Sequence, residues 1–337
     1  MLSLPSQSDA TWKFADWLEL RAIGSSRRKS TLAELLSGLD VGRDEESEDS
    51  ADADAERDRL KAEVLDEIDR RINCIGASYP FRLGRRGAVL EFVAPADNVG
   101  AIYLFCLFLS HIADRSIVPA DLAPEADNRV RDLFQVCCTV AAAGHVEGEA
   151  SCFGWPRKDG LPFLDALKTL YKRIGEGAPH DEAPAGAPVY IKDGGIDVIA
   201  WRPAVDGMGI TAYFVGQVAS GKNWSEKSVK ADEDTFHRFW FKSQIASPRT
   251  YGMFIPFCLE PESPVVGETP EKRIEGYLYR LTFQFGHMFY RYRIPEMAAK
   301  GLLQIEAGRF VGRAQELEDI RRWVDGYCGR LSEAAEI

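Results

Sequence analysis

Basic charge is scarce in this 337-residue chain: 41 Lys and Arg stand against 52 Asp and Glu, a formal net charge of −11. A molecule so balanced repels polyanions as a whole, so contact with nucleic acid has to come from a local basic surface or through a divalent metal. Long apolar runs are also missing. The longest, residues 99–112, contains His111 and is shorter than the roughly 20 residues a bilayer demands, so a buried helix and no membrane partner are expected. The seven cysteines are odd in number and scattered, without Cys-x-x-Cys or Cys-x-x-His spacing. That pattern argues against structural zinc and suggests reduced core thiols. No Gly-x-Ser-x-Gly elbow, His-Glu-x-x-His helix or Gly-x-Gly-x-x-Gly turn occurs, so serine-hydrolase, zincin and dinucleotide-binding readings have no anchor. The opening Met-Leu-Ser-Leu-Pro-Ser-Gln lacks the basic and apolar regions of a secretory signal, so a cytoplasmic location is expected.

What is present suits a globular protein: 45% hydrophobic and 28% charged residues over a length that accommodates two domains. Residues 1–40 carry two helical patterns, the second opened by Ser30 or Thr31 with Glu34 completing a capping box. Residues 41–58 are an acidic stretch read as a linker. Residues 59–155 form a helical region, with a hairpin over 79–92 turning on Gly84-Arg-Arg-Gly87 in the manner of a wing. Residues 156–265 hold an amphipathic helix over 162–176, two strands with a Gly-rich turn between them, a helix over 228–240 and a strand over 253–259. Residues 266–337 are a helical and aromatic extension. His111 and His145 lie in or beside apolar faces and read as packed histidines.

The segment 192–224 carries the chemistry. Asp193-Gly194-Gly195-Ile196-Asp197 leads into the first strand, and Gln217-Val218-Ala219 closes the second. Helix, strand with an acid, hairpin, strand with a polar residue, helix: this order over about residues 160–260 resembles the PD-(D/E)xK restriction-endonuclease-like superfamily, most of all its Mrr-like branch. The resemblance implies an α/β (α+β) fold, a mixed central sheet flanked by helices, preceded by a mostly helical N-terminal region. It also implies a Mg²⁺- or Mn²⁺-dependent nuclease acting on DNA in genome defence or DNA processing. A protein partner from the same system and a homo-oligomer accompany that reading.

In the roles the resemblance assigns, Asp197 is the principal metal ligand and Gln217 stands for the second acid. The family lysine is replaced by Ala219, and Lys222 is the nearest lysine in sequence able to reach back. A third metal ligand is sought among Asp165, Glu176 and Asp193, with Glu176 favoured because glycines flank it at a helix end. Lys227, Lys230, Arg238 and Trp224 combine basic and aromatic character suited to a nucleic-acid strand. Phe236, Phe239 and Trp240 read as core. The missing lysine leaves a second reading, an inactive module that binds nucleic acid or a protein. Gly216-Gln-Val-Ala-Ser-Gly221-Lys222-Asn223 approaches the Walker A pattern, but its last residue lacks the hydroxyl that would meet Mg²⁺.

Overall fold

The computed structural model describes residues 2–6, 8–40, 50–84, 87–125, 127–260 and 269–335. Two compact units emerge, one of Met1–Ala126 with Asp319–Ile337, the other of Asp127–Glu318.

The first unit begins with α1 (Thr11–Gly24), β1 (Lys29–Thr31), α2 (Leu32–Asp40) and α3 (Ser50–Ile75). It continues through β2 (Phe81–Leu83), β3 (Val89–Phe92) and α4 (Asn98–Ala113). The hairpin expected over 79–92 is β2 with β3, and β1 adds to it as a third antiparallel strand in the order β1-β3-β2. Its tip, Arg85 and Arg86, lies outside the described residues. The capping box forms at Thr31: Glu34 N donates to Thr31 Oγ1 at 3.1 Å and Thr31 N to Glu34 Oε2 at 2.9 Å. Of the acidic stretch 41–58, residues 41–49 lie outside the described residues, and the remainder is the start of α3.

Inside this unit Arg71 of α3 is fully buried. It meets Asp16 at 2.7 Å, Glu19 at 2.9 Å and Glu67 at 3.0 Å. His111 Nε2 adds a 2.8 Å bond to Asp16, so it is a hydrogen-bonded core histidine, as its apolar sequence context suggests.

The second unit runs α5 (Asn128–Val146), β4 (Glu149–Cys152), α6 (Phe163–Ile174), β5 (Ala178–Pro179), β6 (Val198–Pro203) and β7 (Ile210–Val218). After a 3₁₀ turn, Lys222–Glu226, come α7 (Val229–Trp240), β8 (Phe241–Ser243), β9 (Arg249–Phe254), α8 (Pro270–Phe285), β10 (His287–Phe289) and α9 (Arg293–Glu306). Finally α10 (Leu317–Glu333) returns the chain to the first unit, where Trp323 and Tyr327 pack on Phe105 and Phe108.

Five strands form a mixed sheet in the order β10-β9-β7-β6-β4. The β6–β7 and β4–β6 pairs are antiparallel, whereas β7–β9 and β9–β10 are parallel, with α7 and α8 supplying the connections that parallel pairs require. The fold is therefore mixed α/β. Side-chain alternation sends Ile199, Trp201, Tyr213 and Val215 to one face, where Phe163, Leu167 and Tyr171 of α6 and Phe236 and Trp240 of α7 cover them. Phe214 meets His145 of α5, and α9 lies along α5. Gly144 and Gly301 sit at that crossing because a Cβ on Gly144 would fall 1.9 Å from Met297 O.

The domain limits differ from those drawn at 155/156 and 265/266. β4 is hydrogen-bonded to β6 and β10 to β9, so α5 and residues 269–318 belong with the sheet. The strand expected over 253–259 ends at Phe254, and the aromatic segment 271–290 divides into α8 and β10.

Candidate functional site

The Asp193–Asp197 turn enters β6 where β7 and β9 end, the region outside carboxyl strand ends in which open α/β sheets bind ligands. Two glycines shape it. Gly194 and Gly195 have φ of +68° and +81°, and a Cβ on Gly195 would lie 2.8 Å from Asp232 Cγ. Asp193 Oδ1 accepts from Gly195 N at 3.0 Å, closing an Asx turn. Asp197 N then donates to Gly216 O at 2.9 Å, beside Val198–Gly216, the last pair of the β6–β7 ladder. Asp197 and Gln217 thus stand beside that last pair, Asp197 bonded to Gln135 of α5 and Gln217 to Asp232 of α7.

The Asp197 carboxylate is part-buried and held at both oxygens. Oδ2 accepts from Val218 N at 2.7 Å and Oδ1 from Gln135 Nε2 of α5 at 3.3 Å. Burial, reinforced by the neighbouring charge of Asp193, pushes its pKa up to about 6; the Val218 N–H and the Lys227 ammonium oppose that rise. Room beside it depends on Gly154, where a Cβ would fall 2.6 Å from Asp197 Oδ1 and 2.5 Å from Gln135 Nε2.

Gln217 is 4% exposed. Its Nε2 donates to Asp232 Oδ2 on α7, which fixes the amide and leaves Oε1 buried without a hydrogen-bond partner. A buried acceptor left unmatched costs on the order of 1–3 kcal/mol, the kind of deficit a ligand relieves. Lys227 Nζ donates to Val218 O at 3.1 Å, bringing the ammonium to the strand residue whose N–H holds Asp197.

Asp197 and Gln217, the two ligands the resemblance assigns, flank the Val198–Gly216 pair that closes the β6–β7 ladder, and the charge of Asp193 acts on Asp197. Glu176 lies elsewhere. Its Oε1 accepts from Ala246 N and Ser247 N at 2.6 Å, and Ser247 Oγ bonds to Ile210 O at the start of β7. Eight residues of strand separate Ile210 from Val218, roughly 25 Å at about 3.3 Å per residue. Glu176 therefore anchors the entry to β9, at the opposite end of β7 from Asp197. Asp165 pairs with Lys168 at 3.0 Å on the outside of α6.

Lys222 is exposed and opens the 3₁₀ turn; α7 starts only at Val229, so no helix begins at the lysine of the Walker-like segment. The positive charge that acts on Asp197 comes from Lys227. Trp224 packs on Phe285 at 5.5 Å between ring centroids, as part of the core between α7 and α8. Lys230 and Arg238 are exposed on α7, Arg238 paired with Asp234 at 2.7 Å. Phe236 and Trp240 are buried, as expected of core aromatics.

Three participants carry no mark in the sequence. Asp232 is one acid in a charged helix start, Gly154 stands outside any motif, and Gln135 is visible only as an amide in a largely apolar helix. Gln135 is itself supported, since its Oε1 accepts from Cys152 Sγ at 3.5 Å. That thiol is pushed up to about 11 by burial, so it stays protonated at neutral pH.

Among the described residues, no three His, Cys, Asp or Glu side chains are grouped to hold a metal. The oxygens of Asp197 and the unmatched Oε1 of Gln217 nevertheless suit a hard divalent cation, which accepts few protein oxygens and keeps several waters. Comparison with protein-family models, curated proteins and solved structures finds no match.

Proposed function

We propose that the second unit is a restriction-endonuclease-like core and that the protein is a Mg²⁺- or Mn²⁺-dependent nuclease, with DNA as substrate in a genome-defence or DNA-processing setting. The observation that carries this reading is the unmatched, buried Oε1 of Gln217 at the same end of the β6–β7 ladder as the Asp197 carboxylate, with a lysine ammonium bonded to the next strand residue. Asp197 and Gln217 would hold the ion. When bound, it supplies Lewis-acid stabilisation of charge on a phosphate in phosphodiester hydrolysis.

The remaining tasks fall to side chains. Lys227 occupies the functional place left open by Ala219: its ammonium orients the attacking water or offsets charge on the scissile phosphate. The Asp232 carboxylate aims the Gln217 amide, and Gln135 steadies Asp197. Supercoiled plasmid incubated with Mg²⁺ or Mn²⁺ is expected to appear nicked or linear. Loss of that conversion in Asp197→Asn supports the reading, and absence of cleavage of any DNA or RNA with either metal overturns its enzymatic half.

A second reading keeps the fold and drops the chemistry. Ala219 stands where the resembled family has its lysine and is 5% exposed in an apolar cluster, so the core would bind nucleic acid or a protein partner without cutting. Metal binding that depends on Asp197 separates the two.

A further inference from the structure

Of the segment Phe153-Gly154-Trp155-Pro156-Arg157 only Gly154 has a part in the site described so far, yet the whole segment is fastened directly to it. Phe153 N and Gly154 N both donate to Asp197 O at 2.8 Å, and Trp155 N donates to Asp193 Oδ2 at 3.3 Å. Phe153 is 2% exposed and roots the segment in the core, whereas Trp155 is 49% exposed. The Arg157 guanidinium stands 5.3 Å from the Trp155 ring centroid and 5.6 Å from that of Phe153. It is itself tied down by bonds to Leu161 O at 3.3 Å and to Lys192 O. The result is an open indole backed by a fixed cation, at a set distance from the Asp197 carboxylate. Lys192 and Tyr190 are exposed on the loop that Arg157 grips.

What distinguishes Trp155 from a singly exposed aromatic is the guanidinium held against its ring, which leaves a flat, cation-backed face open to solvent. An unpaired nucleobase fits best. Its face stacks on indole irrespective of sequence, its phosphates answer to Arg157, Lys192 and Lys227, and the arginine behind the ring strengthens the stack. A base still paired in a duplex does not offer that face, so the platform selects strands with unpaired bases.

We propose that Trp155, backed by Arg157, is a stacking platform that makes the site a binder of single-stranded nucleic acid. The inference rests on the nuclease reading for what happens next to the platform, but not for the binding itself. It is tested on the full chain in EDTA, so that no cleavage intervenes. Fluorescein-labelled single-stranded DNA, single-stranded RNA and duplex DNA of one sequence are titrated by anisotropy against wild type, Trp155→Ala and Trp155→Phe, with intrinsic tryptophan emission followed in parallel.

Wild type is expected to prefer a single strand over duplex and to show quenched emission on binding. Trp155→Ala should weaken single-strand binding about 5- to 100-fold with little effect on duplex, and Trp155→Phe should retain most of it. Tighter single-strand DNA than RNA binding, or the reverse, assigns the source of the base and supports the platform either way. Equal affinity of wild type and Trp155→Ala for both single strands, with Trp155→Ala melting like wild type, overturns it. So does a preference for duplex that Trp155→Ala leaves unchanged. If Trp155-dependent binding occurs and metal never gives cleavage, the nuclease reading fails and the platform stands; if cleavage occurs and Trp155→Ala binds and cuts like wild type, the reverse holds.

Discussion

Asp197 bears the strongest opposing demands of any residue in the site. Its carboxyl pKa, raised from the ordinary 3.8 to about 6, means that the folded protein holds a proton there more tightly than the unfolded chain does. The stability this contributes is fully present below about pH 4 and is lost as pH rises through 6. Asp197→Asn, which cannot ionise, should therefore be more stable than wild type at pH 8, by on the order of 1–3 kcal/mol, and nearly equal to it at pH 4, as thermal melts at the two pH values would reveal. Cleavage should follow the opposite course, falling as pH drops through about 6, since the protonated acid cannot serve as a metal ligand.

The two lysines invite a direct comparison. Lys227→Met is expected to lower the cleavage rate at least about 100-fold, within the range of general acid–base and electrostatic contributions. Lys222→Met should change it by less than about 5-fold, because Lys222 is exposed at the head of the turn. In the first unit, Arg71→Met would leave Asp16, Glu19 and Glu67 without their shared buried guanidinium. A loss of about 3–5 kcal/mol in denaturant unfolding is expected there.

At the scale of elements, the packing of α5 against α9 depends on small residues. A Cβ on Gly301 would lie 2.0 Å from Val140 O, as close an approach as that at Gly144, so Gly301→Ala should force the helices apart. A fall in melting temperature corresponding to at least about 2 kcal/mol is expected. Elements with strong periodicity were legible in the sequence: α6, α7, the β6–β7 hairpin, the β2–β3 hairpin and the Thr31 cap all stand close to where pattern and capping place them. β9 and the α8–β10 division were less so. Phe254 pairs and then the chain bends at Pro256, a breaker inside an apolar run that continues to Leu259, and the aromatic residues of 271–290 suit helix and strand alike. Of the site, the placement of Asp197 and Gln217 at one end of a single hairpin was legible from its turn and strand pattern. Asp232, Gln135 and Gly154 reach the same place from separate elements, and no local spacing encodes that convergence. Glu176 had the right chemistry for a ligand but joined the wrong end of β7.

For the whole molecule, a net charge of −11 sets the terms on which a polyanion approaches. On the proposed reading, the acids that would take a cation at the site also repel phosphate, so substrate affinity should depend on divalent metal as much as on basic side chains. No helix among the described residues is long and apolar enough to cross a membrane. Two units folded from a chain that leaves the first and returns to it through α10 also mean that shortening the chain before that helix removes Trp323 and Tyr327 from the aromatic core of the first unit.

Whether Asp197 and Gln217 hold a divalent ion is decided by calorimetric titration of the full chain with Mn²⁺ at pH 8. One site per chain is predicted, lost in Asp197→Asn and weakened in Gln217→Leu. Mn²⁺ binding that is unchanged in both variants, or no binding by the wild type, would contradict it.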